Sequence, residues 1–293
     1  MIYEEKIKGH KLTYEIHSKG KEDILLFNGW ASFQFFWSHL IEELKPYGRV
    51  ITADIMGHYP ATFPEGLTQF SLEEWTHIQA ELIKKITKKK VTLIGHSAGG
   101  MVSISLAAMY PKLIKKLICI TPAVHGPVEG FLYPIKLGFE MRLGRLITEV
   151  QKLLLIPEFS MQLFFNIAVH DKENFFSQKG IQEFLKVYHK HFQKLDFENM
   201  GNYLLSVDKF DTRPLASQIQ QPCLLFVGMH DHIVPSSHGL ELSRILPNVE
   251  CILFEKSGHI PTLEEKEKAV FHLKRFLENK KILAKKNKTK IHI

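Results

Sequence analysis

Residues 91–100 read VTLIGHSAGG, an apolar run followed by a serine between two glycines and then by small residues. The apolar run is typical of a buried strand, and the small residues from Ala98 onward predict a helix. So tight a turn between strand and helix forces Ser97 into a strained backbone conformation, and Gly95 and Gly99 remove the side chains that would collide there. The stretch therefore predicts a serine whose hydroxyl is exposed at the end of a strand.

The predicted helix also bears on the chemistry of Ser97. Its first N–H groups, beginning at Ala98, have no partner within the helix and point toward the serine hydroxyl. An oxyanion develops at that place during acyl transfer, so the arrangement favours a nucleophilic serine. The same glycines also fit a turn that merely packs a helix onto a sheet.

On both sides of this stretch, short β-rich runs alternate with amphipathic ones. A capping box of Ser71 and Glu74 marks one helix start. The pattern predicts a mostly parallel eight-stranded sheet flanked by helices, an α/β fold. Strands are predicted at residues 2–7, 11–17, 23–27, 49–55, 91–95, 116–121, 223–228 and 250–254, and helices at 35–45, 71–87, 98–110, 236–246 and 263–278.

Between residues 122 and 210 the alternation stops. This segment has a helical pattern and holds 11 of the chain's 21 phenylalanines. We predict a core of residues 1–121 and 211–283, a helical insert at 122–210, and a basic, disordered tail at 284–293.

A nucleophilic serine needs a base, and the base needs an orienting acid. Asp231 follows one predicted strand and His259 follows the next, and both turns contain glycine. The carboxyl ends of parallel strands share one edge of the sheet, so both residues are expected beside Ser97. His230 and His232 flank Asp231, but no third ligand appears at metal spacing, and no metal site is predicted.

The chain resembles the α/β-hydrolase family, whose nucleophile, acid and base occur in the order Ser97, Asp231, His259. The resemblance implies that the insert is a lid and that Asp54, in the family's Asp-x-x-Gly turn, is structural. It also implies an oxyanion hole made by the backbone N–H groups of Trp30 and Ala98. Members commonly carry His where this chain has Asn28, which we expect to make similar local hydrogen bonds.

The resemblance and the Phe-rich lid together predict a serine hydrolase. We expect it to cleave a carboxylic ester or thioester with a short-to-medium apolar acyl group, without a cofactor. Phe164 and Phe165 are the candidate substrate-binding residues, of which at most one is expected to face the serine. The chain is similar to the pimeloyl-carrier-protein methyl esterases and the enol-lactone hydrolases. A carbon–carbon bond hydrolase, a cofactor-free perhydrolase and a non-catalytic ligand receptor remain alternatives.

Charge and cysteine content limit the partners. Six lysines in residues 279–293 supply all but one unit of the net charge of +7, and the rest of the chain carries 32 basic against 31 acidic groups. This excludes nucleic acid as the default partner and leaves the tail either solvated or docked on anionic lipid or an acidic partner such as an acyl-carrier protein. Three unpaired cysteines in apolar runs and the lack of a secretory signal or transmembrane segment predict a cytoplasmic protein.

Overall fold

The computed structural model describes residues 1–154, 157, 159–278 and 290–292. Its strands form a single sheet in the order β1-β2-β4-β3-β5-β6-β7-β8-β9. The strands are β1 (Ile2–Ile7), β2 (His10–Ile16), β3 (Asp23–Phe27), β4 (Arg49–Ala53), β5 (Val91–His96), β6 (Ile114–Ile120), β7 (Cys223–Gly228), β8 (Val249–Phe254) and β9 (Lys290–His292). β2 pairs antiparallel with β1 and β4, and all other pairs are parallel.

Helices cover both faces of this sheet. They are α1 (Ser38–Leu44), α2 (Leu72–Ile86), α3 (Ala98–Met109), α4 (Tyr133–Glu140), α5 (Gly144–Leu154), α6 (Ser160–Ala168), α7 (Lys172–Ser177), α8 (Ile181–Phe192), α9 (Phe197–Val207), α10 (Arg213–Ala216), α11 (Ser236–Ile245), α12 (Pro261–Glu264) and α13 (Lys266–Glu278). α2 begins at the predicted capping residue, because the Ser71 hydroxyl accepts a hydrogen bond from the Glu74 N–H at 3.0 Å.

The hydrophobic core lies on the two faces of the sheet. β3, β5 and β7 are buried along their whole length, which a parallel strand requires when helices cover both of its faces. The two large clusters include Trp75 of α2 and Trp37 beside α1, respectively. The three cysteines are buried on strands, as the sequence indicates.

The predicted helical segment lies between β6 and β7. Its described residues form α4 to α9 and contain no strand. Buried aromatic side chains from it join the core cluster that also holds Trp37. The segment thus packs on the α/β body through a hydrophobic cluster that the two share.

The α/β prediction with a mostly parallel sheet is confirmed, and the structure adds a ninth strand. Lys290–His292 pairs in parallel with β8. Without it the backbone groups of β8 would be unpaired at the sheet edge, which is where an extra strand adds most readily. The sequence analysis predicts that residues 284–293 are disordered, whereas the structure has a strand at Lys290–His292. The other residues of the predicted tail lie outside the described ones.

Among the described residues, no helix is both long enough and apolar enough to cross a membrane.

Candidate active site

Ser97 lies on the turn between β5 and α3. Its φ and ψ angles are 54° and −121°, a conformation that a residue with a side chain rarely adopts. A Cβ atom at Gly95 would come within 2.4 Å of the Gly99 oxygen, and one at Gly99 within 2.4 Å of the Asn28 oxygen. Both positions therefore require glycine, as the sequence analysis predicts. Ser97 itself is only 6% exposed, because the helical segment covers it, so its side chain borders a cavity and not the open surface.

Asp231 and His259 lie together at the carboxyl ends of β7 and β8. His259 Nδ1 is 2.7 Å from Asp231 Oδ2, and both residues are buried. The other carboxylate oxygen, Oδ1, accepts the N–H groups of Ile233 at 2.8 Å and Val234 at 2.9 Å. Because Nδ1 faces a carboxylate, the ring proton belongs there, and Nε2 is left as an acceptor.

The predicted oxyanion donors, Trp30 and Ala98, border the cavity beside Ser97. Within the described residues, neither backbone N–H donates a hydrogen bond to another group. The Trp30 side chain is anchored separately, because its Nε1 donates to the Met200 oxygen of α9 at 2.9 Å. Both main-chain donors are therefore available to a ligand.

The cavity has two lobes that meet at Ser97. Trp30, Leu132 and Ile233 border both lobes. We call the first the His125 lobe; it is lined also by Ala98, His125 and His238 among others. The second is the His259 lobe, which is lined also by His259, Phe164 and Phe165. A site of this shape can hold the two halves of a molecule on either side of the serine.

A family model described as alpha/beta hydrolase fold matches residues 24–266. The chain belongs to the α/β-hydrolase family. The resemblance drawn from the sequence is thereby confirmed.

The individual relatives have low sequence identity to this chain. The chain is 23% identical over 261 residues to a pimeloyl-[acyl-carrier protein] methyl ester esterase of Vibrio campbellii, covering 87% of this chain and 94% of the relative. It is 24% identical over 278 residues to the pyrrolizixenacetamide deacetylase of Xenorhabdus hominickii, covering 93% and 96%. Among solved structures, the enol-lactonase from Burkholderia xenovorans superposes with a TM-score of 0.77 at 19% identity, covering 94% of this chain and 100% of that one.

Asn28, where α/β-hydrolases commonly carry His, braces the turn that holds Trp30. Its Nδ2 donates to the Ser32 oxygen at 2.7 Å, within the same loop. Asp54 supports this loop from the other side, because its carboxylate accepts the backbone N–H of Gln34 at 3.0 Å and the Thr13 hydroxyl at 2.8 Å. Burial raises the pKa of Asp54 to about 7. Asp54 lies outside both lobes, in agreement with a structural role.

Phe164 and Phe165 of α6 both border the His259 lobe, although the sequence argument expects at most one of them to face the serine. Adjacent helical positions differ by about 100° around the helix, so the two rings border a concave surface from different sides. Phe165 is buried and stacks on Phe175 at 5.7 Å, whereas Phe164 is partly exposed. Phe165 therefore also belongs to the core.

Sequence reasoning missed three residues that fix the backbone around His259. The His259 oxygen accepts His96 Nε2 at 2.9 Å and the Thr121 hydroxyl at 2.8 Å. Burial lowers the pKa of His96 well below its usual value, so the ring is neutral and Nε2 carries the donated proton. Thr121 has a φ of 40°, a strained value for a β-branched residue.

Glu264 is the third. Its Oε1 accepts the N–H groups of Gly258 at 2.9 Å and Ile260 at 3.3 Å, and its Oε2 accepts that of His170 at 2.6 Å. These donors lower the pKa of Glu264, but burial outweighs them and raises it to about 7. Pro261 begins α12 and Glu264 follows it by three residues, and this spacing is the signal in the sequence that could have indicated Glu264.

We expect Glu264→Gln to lower kcat about tenfold with little change in KM. The amide nitrogen would replace one of the two acceptor oxygens, leaving a buried N–H facing another donor at a cost of about 1–3 kcal/mol, and the His259 loop would shift. Steady-state kinetics on a p-nitrophenyl ester measures this. Glu267→Gln, on the exposed side of α13, is the matched control and should behave as the parent. Equal activity of the two variants would exclude a positioning role for Glu264.

Proposed function

We propose that this protein is a serine hydrolase that cleaves a carboxylic ester or thioester through an acyl-enzyme on Ser97. The observation that carries the proposal is the 2.7 Å contact between His259 Nδ1 and Asp231 Oδ2, in a site where His259 and Ser97 border the same lobe. The strained turn at Ser97 supports it further, because such a conformation costs of order 1–3 kcal/mol and persists mainly at functional sites.

In the first step, Ser97 Oγ attacks the substrate carbonyl while His259 Nε2 takes the hydroxyl proton. Asp231 holds the ring in the tautomer that leaves Nε2 free and stabilises the imidazolium that forms. The carbonyl oxygen becomes negatively charged and is stabilised by the N–H groups of Trp30 and Ala98. The leaving group then departs with the proton from His259.

In the second step, water attacks the acyl-enzyme with the same base. His259 Nε2 takes a proton from the water, and the new oxyanion occupies the same two donors. Ser97 leaves with the proton, so the free enzyme and a carboxylic acid are formed. Apart from the substrate and water, all the groups in this proposed cycle belong to the chain itself, and no cofactor takes part.

The apolar lining of the cavity supports an apolar acyl group of short-to-medium length. Aromatic and aliphatic side chains from the helical segment, acting as a lid, form much of the wall. Relatives named methyl ester esterase and deacetylase support hydrolysis of an acyl bond. The substrate is a small ester or thioester, and the name of the Vibrio relative extends this to an acyl group on an acidic acyl-carrier protein.

A chain-length series tests both the class and the pocket. Hydrolysis of p-nitrophenyl esters from acetyl to palmitoyl should rise to a short or medium chain and then fall, since each buried methylene contributes up to about 0.8 kcal/mol until the lobe is full. Phe164→Ala should move the optimum to longer acyl chains. The control is Leu163→Ala, because Leu163 is the exposed neighbour of Phe164 on α6.

Other outcomes point to the alternatives. Phe164→Ala could instead shift the optimum only when the alcohol part of the ester is lengthened. That result would place the leaving group, and not the acyl group, beside Phe164. If esters are not cleaved but Ser97 reacts with a fluorophosphonate, carbon–carbon bond hydrolysis or perhydrolysis on the same residues is favoured. No reaction of Ser97 with that reagent would favour a ligand receptor.

A further inference from the structure

The helical segment exposes an unusual amount of apolar surface. Seventeen large apolar side chains are exposed in the described part of the chain, and eleven of them lie between residues 131 and 163. Single exposed apolar residues are ordinary, but a cluster of this kind marks an interaction site. We call it the α4–α6 surface, and it consists of Phe131, Tyr133, Leu137, Met141, Leu143, Leu146, Val150, Leu153, Leu154, Phe159 and Leu163.

The centre of the α4–α6 surface is the outer side of α5. Leu146, Val150 and Leu153 follow at three-and-four spacing and form one stripe, with Leu146 62% and Leu153 67% exposed. α5 is attached to the protein by a different face, where Ile147 packs over Gly138 and Thr148 is buried. Its apolar stripe is therefore turned away from the protein.

The α4–α6 surface borders the cavity. Leu132 lines both lobes, and its neighbours Phe131 and Tyr133 are exposed. Phe164 lines the His259 lobe, and its neighbour Leu163 is 57% exposed. A partner bound to this surface would thus lie next to the walls of the candidate active site.

Charge indicates what kind of partner fits. Arg142 and Arg145 are exposed and have no acidic partner among the described residues, whereas Lys152 pairs with Glu149 at 2.9 Å. In a symmetric dimer through this surface each copy would meet the same patch, and these arginines would add like charge at the contact. A surface that binds an acidic carrier protein needs many basic side chains. Among the described residues, the α4–α6 surface has eleven exposed apolar side chains and only these two arginines without an acidic partner, so it does not fit such a protein.

We propose that the α4–α6 surface docks on an anionic phospholipid membrane, with the apolar stripe of α5 in the interface and Arg142 and Arg145 at the headgroups. An amphipathic helix with these features lies in the plane of a bilayer. α5 has 11 residues and is too short to cross one. Docking places the cavity walls at the lipid surface.

Vesicle flotation tests this proposal independently of catalysis if the parent protein carries Ser97→Ala. The parent should bind vesicles of phosphatidylcholine mixed with phosphatidylglycerol, and more weakly those of phosphatidylcholine alone. Leu146→Ser together with Leu153→Ser should lower the partition coefficient at least about tenfold. Met109→Ser together with Phe271→Ser, two exposed apolar positions outside the surface, is the matched control and should bind as the parent.

Arg142→Gln together with Arg145→Gln should reduce binding to the anionic vesicles alone, and the difference should fade at high salt. With Ser97 intact, the Leu146 and Leu153 double variant should hydrolyse p-nitrophenyl acetate as the wild type does, which checks its folding. Failure of the parent to bind vesicles, or equal binding by the double variant, would overturn the proposal. So would a dimer in sedimentation velocity that the same leucine substitutions dissociate, or binding of an acyl-carrier protein in place of vesicles.

Discussion

Ser97→Ala is expected to lower kcat/KM for a p-nitrophenyl ester by about a million-fold, the largest effect of any single change. The hydroxyl is the group that forms the acyl-enzyme, and removing the nucleophile alone costs about as much as removing the nucleophile, base and acid together. The fold should survive, because α3 and the glycines of the turn are unchanged. The measurement is initial-rate hydrolysis with the melting temperature recorded alongside.

Ser105→Ala is the matched control for this experiment. Ser105 is a buried serine of α3, the helix that follows Ser97, and it lies outside both lobes, where its hydroxyl donates to the Met101 oxygen. Only Ser97→Ala should abolish labelling by a fluorophosphonate. If the Ser97→Ala protein kept more than a small fraction of its turnover, the nucleophile would have to be another group.

Asp231→Asn is expected to lower kcat on the order of 10⁴-fold. Asn retains the oxygen that accepts the Ile233 and Val234 N–H groups, so the turn after β7 should stay intact. Its amide nitrogen, however, would donate to His259 Nδ1. The ring proton would then move to Nε2, which could no longer accept the proton of Ser97. Single-turnover kinetics should show that acylation itself is slowed.

The control for this variant is Asp211→Asn, because Asp211 pairs with Arg213 on the surface, outside the lobes. It should keep full activity. Near-full activity of Asp231→Asn would mean that a different carboxylate orients His259, and the proposed order of residues would be wrong.

The sequence by itself determined the local features that depend on near neighbours. The strained turn at Ser97 follows from the steric requirements of Gly95 and Gly99, and the structure has it where the sequence indicated. The strand pattern fixed the parallel sheet, and strand-end position brought Asp231 and His259 to one edge because parallel strands end on the same side. These features required only sterics, periodicity and chain direction.

The tertiary structure alone decided the contacts between distant segments. His96 and Thr121 both donate to the His259 oxygen across more than a hundred residues, and no local pattern encodes such a pairing. The phenylalanines of the helical segment are a compositional signal, but composition does not say which rings face inward. In the folded chain Phe165 packs in the core while Leu146 and Leu153 face outward, because a helix with an apolar stripe can bury that stripe only where another surface is present to cover it.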